Sequence, residues 1–178
     1  APDNAIGYIA QGRAYLQAGH FDKAVPVVER AVQLQPGNAD VLVMQGELLG
    51  IQGRYTDAVE VMERALLRDP LNANTRNALA NRYLSVGRGE DGLRALALGL
   101  EIDPDDRQLS RNRALLLYKM GRPGVAMSEI DRIVEIEPDF INAIQDMFFI
   151  HIDAGNLDMA RSALEQGEAL SRNRLADE

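Results

Sequence analysis

Five prolines, Pro2, Pro36, Pro70, Pro104 and Pro138, stand 34 residues apart along the chain. A fixed period of that length marks a repeat array, in which one small unit recurs and each copy buries its apolar face against its neighbours. Counting Ala5 as column 1 of the period sets the repeats at 5–38, 39–72, 73–106, 107–140 and 141–174. Column 15 is glycine in all five (Gly19, Gly53, Gly87, Gly121, Gly155). That suits a helix C-terminus, where glycine enters the left-handed region at least cost. Column 8 reads Gly12, Gly46, Ala80, Ala114, Phe148 and column 20 reads Ala24, Ala58, Gly92, Ala126, Ala160, so small residues recur where two helices must touch.

Each repeat therefore predicts a helix A over columns 1–14 and a helix B over about columns 17–30, closed by the column-32 proline, which cannot continue a helix. In the first repeat Tyr8, Gly12 and Tyr15 form the i, i+4, i+7 stripe of helix A, and Ala24, Val28 and Ala31 that of helix B. Pro26 falls early in its helix, where N–H groups lack intrahelical partners. These residues resemble the tetratricopeptide repeat (TPR) family, whose pattern asks for Gly or Ala at column 8, Tyr at 11, Ala at 20, an aromatic at 24, Ala at 27 and Pro at 32. The resemblance covers 170 of 178 residues. It implies an all-α fold, a right-handed α-solenoid of antiparallel helix pairs with about ten helices. Column 4 lacks the favoured Trp (Ser110 in repeat four), column 7 holds Arg113 there, column 27 breaks at Ile133, and Arg172 replaces the fifth proline.

The ends read differently from each other. Columns 21 and 28, which dock onto the next repeat, are apolar until repeat five, where they become Arg161 and Glu168. Helix B of that repeat is expected to be a cap, followed by the charged tail 172–178, with no sixth pair docked on it. Residues 1–4 match columns 31–34, so the chain is read as a single array opening with the end of an upstream repeat. Helix A of repeat one, with Gly7 and Ala14 where an upstream helix would sit, is an expected route to homo-oligomers.

Composition narrows the chemistry. Without cysteine there is no disulfide, thiolate metal site or cysteine nucleophile, and its absence suits cytoplasm and bacterial periplasm alike. A net charge of -8 argues against nucleic acid as a partner. No apolar run approaches the roughly 18–20 residues that span a bilayer, which argues against direct membrane insertion. Of two histidines, His20 reads as an exposed turn residue and His151, in the column-11 tyrosine position, as half-buried packing. Asp103, Asp105 and Asp106 read as an inter-repeat turn with capping carboxylates. No phosphate loop, nucleophile elbow or zinc helix motif is present. The expectation is no enzyme, no cofactor and no metal.

Function is then expected on the helix-A face opposite the buried stripe, which in the TPR family lines a concave groove that takes extended peptides or partner helices. Columns 2, 5, 6, 9, 12 and 13 nominate Arg13, Met44, Asn74, Asn77, Asn81, Arg111, Asn112, Tyr118, Asn142, Gln145 and Phe149. Amide side chains both donate and accept, so a ladder of them pairs with a peptide backbone without reading its sequence. The lysine and arginine pair of the family's carboxylate clamp is replaced by Asn142 and Asp146, which excludes that mode. Repeat four is a relatively basic station, with Arg107, Arg111, Arg113, Lys119 and Arg122 around one helix pair, and is expected to attract a carboxylate-bearing segment. The reading is a protein–protein interaction scaffold for a protein or peptide partner. The alternatives are the substrate-recognition region of a larger enzyme, such as a glycosyltransferase, or a component of a bacterial envelope, pilus or polysaccharide-export assembly.

Overall fold

A computed structural model describes residues 5–176; the residues read as closing an upstream repeat, 1–4, and the end of the charged tail, 177–178, lie outside them. The described residues form ten α-helices: α1 (Ala5–Gln17), α2 (Phe21–Leu34), α3 (Ala39–Ile51), α4 (Tyr55–Arg68), α5 (Ala73–Ser85), α6 (Gly89–Ile102), α7 (Arg107–Lys119), α8 (Pro123–Ile136), α9 (Ile141–Asp153) and α10 (Leu157–Ala176). Each pair is one 34-residue repeat, as the proline and glycine columns require.

Local chemistry sets the boundaries. All five column-15 glycines have positive φ, between 71° and 77°. The next N–H closes back over each turn, His20 to the Tyr15 carbonyl at 2.9 Å and Arg88 to the Tyr83 carbonyl at 2.7 Å, the long bond of a Schellman C-cap. Column 34 starts the following helix: Asn38, Asn72 and Asp106 accept from the backbone N–H of Val41, Thr75 and Leu109 at 3.3, 2.9 and 2.9 Å. Phe140 occupies that position before α9 and gives no side-chain cap. The helix-B elements α2, α4, α6 and α8 each run 14 residues. With Arg172 in place of proline, α10 runs 20, so the start of the expected tail is helix. Pro26 is the sixth residue of α2, beyond the first turn, and its missing N–H removes one bond inside the helix.

The chain divides into two compact units, Ala1–Ala95 and Leu96–Glu178, with the boundary inside α6. Within the first, hairpins α1–α2 and α3–α4 stack. Val41, Met44 and Leu48 of α3 enter the groove between α1 and α2, beside Leu16, Val28 and Ala31. Met62, Val59, Leu79 and Tyr83 carry the core on to α5. Within the second, α7–α8 stacks on α9–α10 around buried Ala114, Leu116, Ile130, Ala143, Ile144 and Ile150. The fold is all-α and solenoid in type; α1 to α5 in the first unit and α7 to α10 in the second each pack on their sequence neighbours. No helix among the described residues is long and apolar enough to cross a membrane.

Candidate functional site

Alternate helices present their A faces together, α1, α3 and α5 in the first unit and α7 and α9 in the second. In the first unit Arg13 of α1 is exposed and pairs with Asp40 of α3 at 2.8 Å. Glu47, two turns further along α3, is half-buried, and burial pushes its carboxyl above the usual carboxylate range while Arg82 and Arg13 pull it back. The Arg82 guanidinium lies against Gly50, where a Cβ would fall 2.6 Å from its Cζ, so a larger residue at this column-12 position would displace the end of that side chain. Asn74, Asn77 and Asn81 stand on successive turns of α5. Asn74 is exposed; Asn81 Nδ2 donates to the Asn77 carbonyl at 3.0 Å, so part of this ladder is occupied within its own helix.

Met44 does not belong to the open face. It is buried in the core, and its Sδ lies 3.2 Å from where a Cβ on Gly12 would be. Column 6 points toward the preceding hairpin, so a long apolar side chain there is drawn into the junction instead of the groove.

The second unit corrects the expected basic station. Arg111 of α7 makes a two-pronged pair with Asp146 of α9, through Nε and, at 3.1 Å, through Nη2. Arg113 does the same with Glu129 at 3.1 and 3.0 Å, and Arg107 Nη1 meets Glu137 at 2.6 Å. Three of the five cations proposed to attract a carboxylate already hold one. Ser110, Arg113 and Ile133, three departures from the family pattern, line a single cleft of about 410 Å³ beside these pairs, where the family's tryptophan is missing. Nearby, Tyr118 donates its hydroxyl to Asp153, and Gln108 donates to Asn112 at 3.0 Å.

What stays open is a stripe along α9: Asn142, Gln145, Phe149 and Ile152 share one face at one-turn spacing and all four are exposed, Phe149 to 65%. Gln145 and Phe149 also form the rim of a mainly apolar groove of about 700 Å³ between α9 and α10, floored by Ile144, Phe148, Ala163 and Leu164. The sequence reading assigned this end to a cap. Arg161 and Glu168 are exposed as expected, but the cap is partial, because column 24 keeps its leucine.

His20 is exposed, and His151 is more enclosed than expected, 2% accessible, with neither ring nitrogen bonded and Asp131 Oδ1 3.6 Å away. Among the described residues no group of His, Cys, Asp and Glu is arranged to hold a metal.

The tetratricopeptide repeat family pattern matches residues 9–73 and again 51–116, together more than half of the chain. The chain belongs to the tetratricopeptide repeat family. No curated protein matches it in sequence. Among solved structures it is similar to a MamA protein, at 18% identity and TM-score 0.67 over 99% of this chain and 96% of that one. PilF of Pseudomonas aeruginosa aligns at 20% identity and TM-score 0.74, over 94% of this chain and 77% of its own. YrrB, described as a TPR protein with an unusual peptide-binding site, aligns at 17% and 0.62 over 97% and 89%. At these identities the likeness is one of fold.

Proposed function

We propose that the chain is a non-catalytic interaction module that holds an extended segment of a protein partner on its helix-A faces. One observation carries this, the exposed stripe Asn142, Gln145, Phe149 and Ile152 on α9. Two amides can pair with the N–H and C=O of a peptide backbone, and the two apolar side chains one turn further on bury its side chains, a combination that favours extended chain over a folded surface. The amides Asn74 and Asn77 on α5 offer the same chemistry in the first unit. The peptide-binding site attributed to YrrB, a protein of like fold, is consistent with it.

Peptides selected from a displayed random library against the whole chain provide the test. Their binding should shift the backbone amide resonances of α7 and α9, and Gln145→Ala with Phe149→Ala should weaken it about tenfold or more, about 1.4 kcal/mol. Unchanged affinity, or shifts confined to the outer faces of the B helices, would reject the reading.

A further inference from the structure

Column 4 elsewhere carries a large, enclosed side chain. It is Leu42 and Ile144, each 1% accessible, and in repeat three Arg76, whose Nη2 donates to the Pro70 carbonyl at 2.5 Å. In repeat four it is Ser110, which stops short, and it lines the cleft of about 410 Å³ that opens beside α7 and α8. That volume falls within the range of ordinary ligand sites. The cleft is separate from the open A face: its residues on α7, Arg107, Ser110 and Arg113, belong to columns 1, 4 and 7.

The cleft calls for three things at once. The first is a flat apolar body. Leu100, Ile133 and Ile136 supply apolar walls, and the Arg113 guanidinium, held by both prongs of Glu129, presents a fixed plane of the kind that stacks on an aromatic ring, indole best of all. The second is an N–H donor. The column-32 carbonyl accepts from Arg76 at Pro70 and from Gln166 Nε2 at Pro138, at 2.9 Å, but the Pro104 carbonyl, at the edge of the cleft, accepts from none of the described residues. The third is a carboxylate. Arg107 and Arg113 already hold Glu137 and Glu129, whereas Arg132, exposed and lining the same cleft, pairs with none among the described residues. A leucine meets only the first demand. An arginine meets the second, at Pro104 or the Asp105 carboxylate, but brings its charge beside Arg113 and Arg132. A tryptophan next to an acidic residue meets all three, since the indole is a flat apolar ring with one donor and no acceptor.

We infer that this cleft is a docking site for a tryptophan side chain of a partner polypeptide, with an aspartate or glutamate beside it in that chain paired to Arg132. The incoming ring supplies from outside the bulk that Ser110 lacks, and its N–H takes the place that Arg76 fills at Pro70.

The chain contains no tryptophan, so all indole emission in a mixture comes from the ligand. The probe is the capped peptide acetyl-Gly-Trp-Asp-Gly-amide, titrated with the 178-residue chain. Its emission should move to shorter wavelength and its anisotropy rise to saturation as the ring leaves water. Asn in place of the peptide's Asp should weaken binding about threefold, the scale of an exposed ion pair. Arg132→Gln should weaken the Asp peptide by the same factor and leave the Asn peptide unchanged. Ser110→Leu, which installs the residue this column carries at Leu42, should weaken both peptides at least about tenfold. Helical circular dichroism establishes that Ser110→Leu folds; if it does not, the Arg132→Gln comparison, at an exposed and unpaired residue, decides. Gln145→Ala with Phe149→Ala leaves the titration unchanged, so this site and the α9 stripe are read separately. No emission shift at about 1 mM chain, undiminished binding to folded Ser110→Leu, equal loss of both peptides in Arg132→Gln, or equally tight competition by the peptide with Arg in place of Trp overturns the inference.

Discussion

Two ion pairs tie successive A helices together, one in each unit, and they differ in what surrounds them. Arg13 and Asp40 meet in the open, with side chains 51% and 54% exposed. Arg111 and Asp146 are 20% and 13% exposed and engage through two prongs. The first contact is weak because solvent competes for both partners. In the second, removing either partner strands a charge that water reaches poorly. The ion pair between A helices is thus superficial in the first unit and structural in the second, which changes what substitutions at each mean.

The largest expected effect follows. Arg111→Ala should destabilise the chain by about 2 kcal/mol through the stranded Asp146 carboxylate, whereas the same truncation at Arg13 should cost under about 0.5 kcal/mol. Urea denaturation of the two variants measures both, and equal midpoints would break the comparison. It follows that Arg111 cannot be used as a clean probe of ligand binding.

A second contrast involves columns 11 and 25. Tyr83 reaches Glu63, but His151 and Asp131, each shorter, fail to close the same gap, leaving Nδ1, Nε2 and Asp131 Oδ1 buried without partners. His151→Leu, which restores the leucine that column 11 carries at Leu49 and Leu117, should therefore stabilise the chain, by about 1 kcal/mol, since the unsatisfied ring nitrogens are removed and the volume is kept. A lowered melting temperature would indicate that the imidazole has partners in solution.

The smallest effect concerns Tyr83. Burial, and then the hydrogen bond to Glu63, push its phenol up to about 12 from an ordinary 10. The folded state thus keeps this proton after the unfolded chain has lost it. The contribution is fully present below about pH 10 and fades as pH rises toward 12. A late phenolate transition in ultraviolet titration should disappear in Tyr83→Phe, together with part of the alkaline loss of stability; its persistence in the variant would assign the transition to another tyrosine.

Helix boundaries were legible because glycine and proline act through their own backbones: the 34-residue period placed all five hairpin turns at the positive-φ glycines. The groove was less legible. Periodicity gives the angle of a side chain around its helix but not which sectors a neighbour covers, so Met44 in column 6 reads the same as Ala10 although the junction swallows it. Pairing was equally hidden, since Arg111 and Asp146 are 35 residues apart and nothing local announces that one neutralises the other. Arg113 was conspicuous from its column alone, and its role emerged only with Glu129 beside it.

The glycine turns also bear on how quickly the chain finds its fold. Each hairpin closes over a few residues, and the side-chain bonds between helices described here span at most 35 positions. With so little chain to gather before contacts form, the search is short and several hairpins can serve equally as the starting point. A substitution that slows one turn should therefore reroute folding through another hairpin before it changes the overall rate.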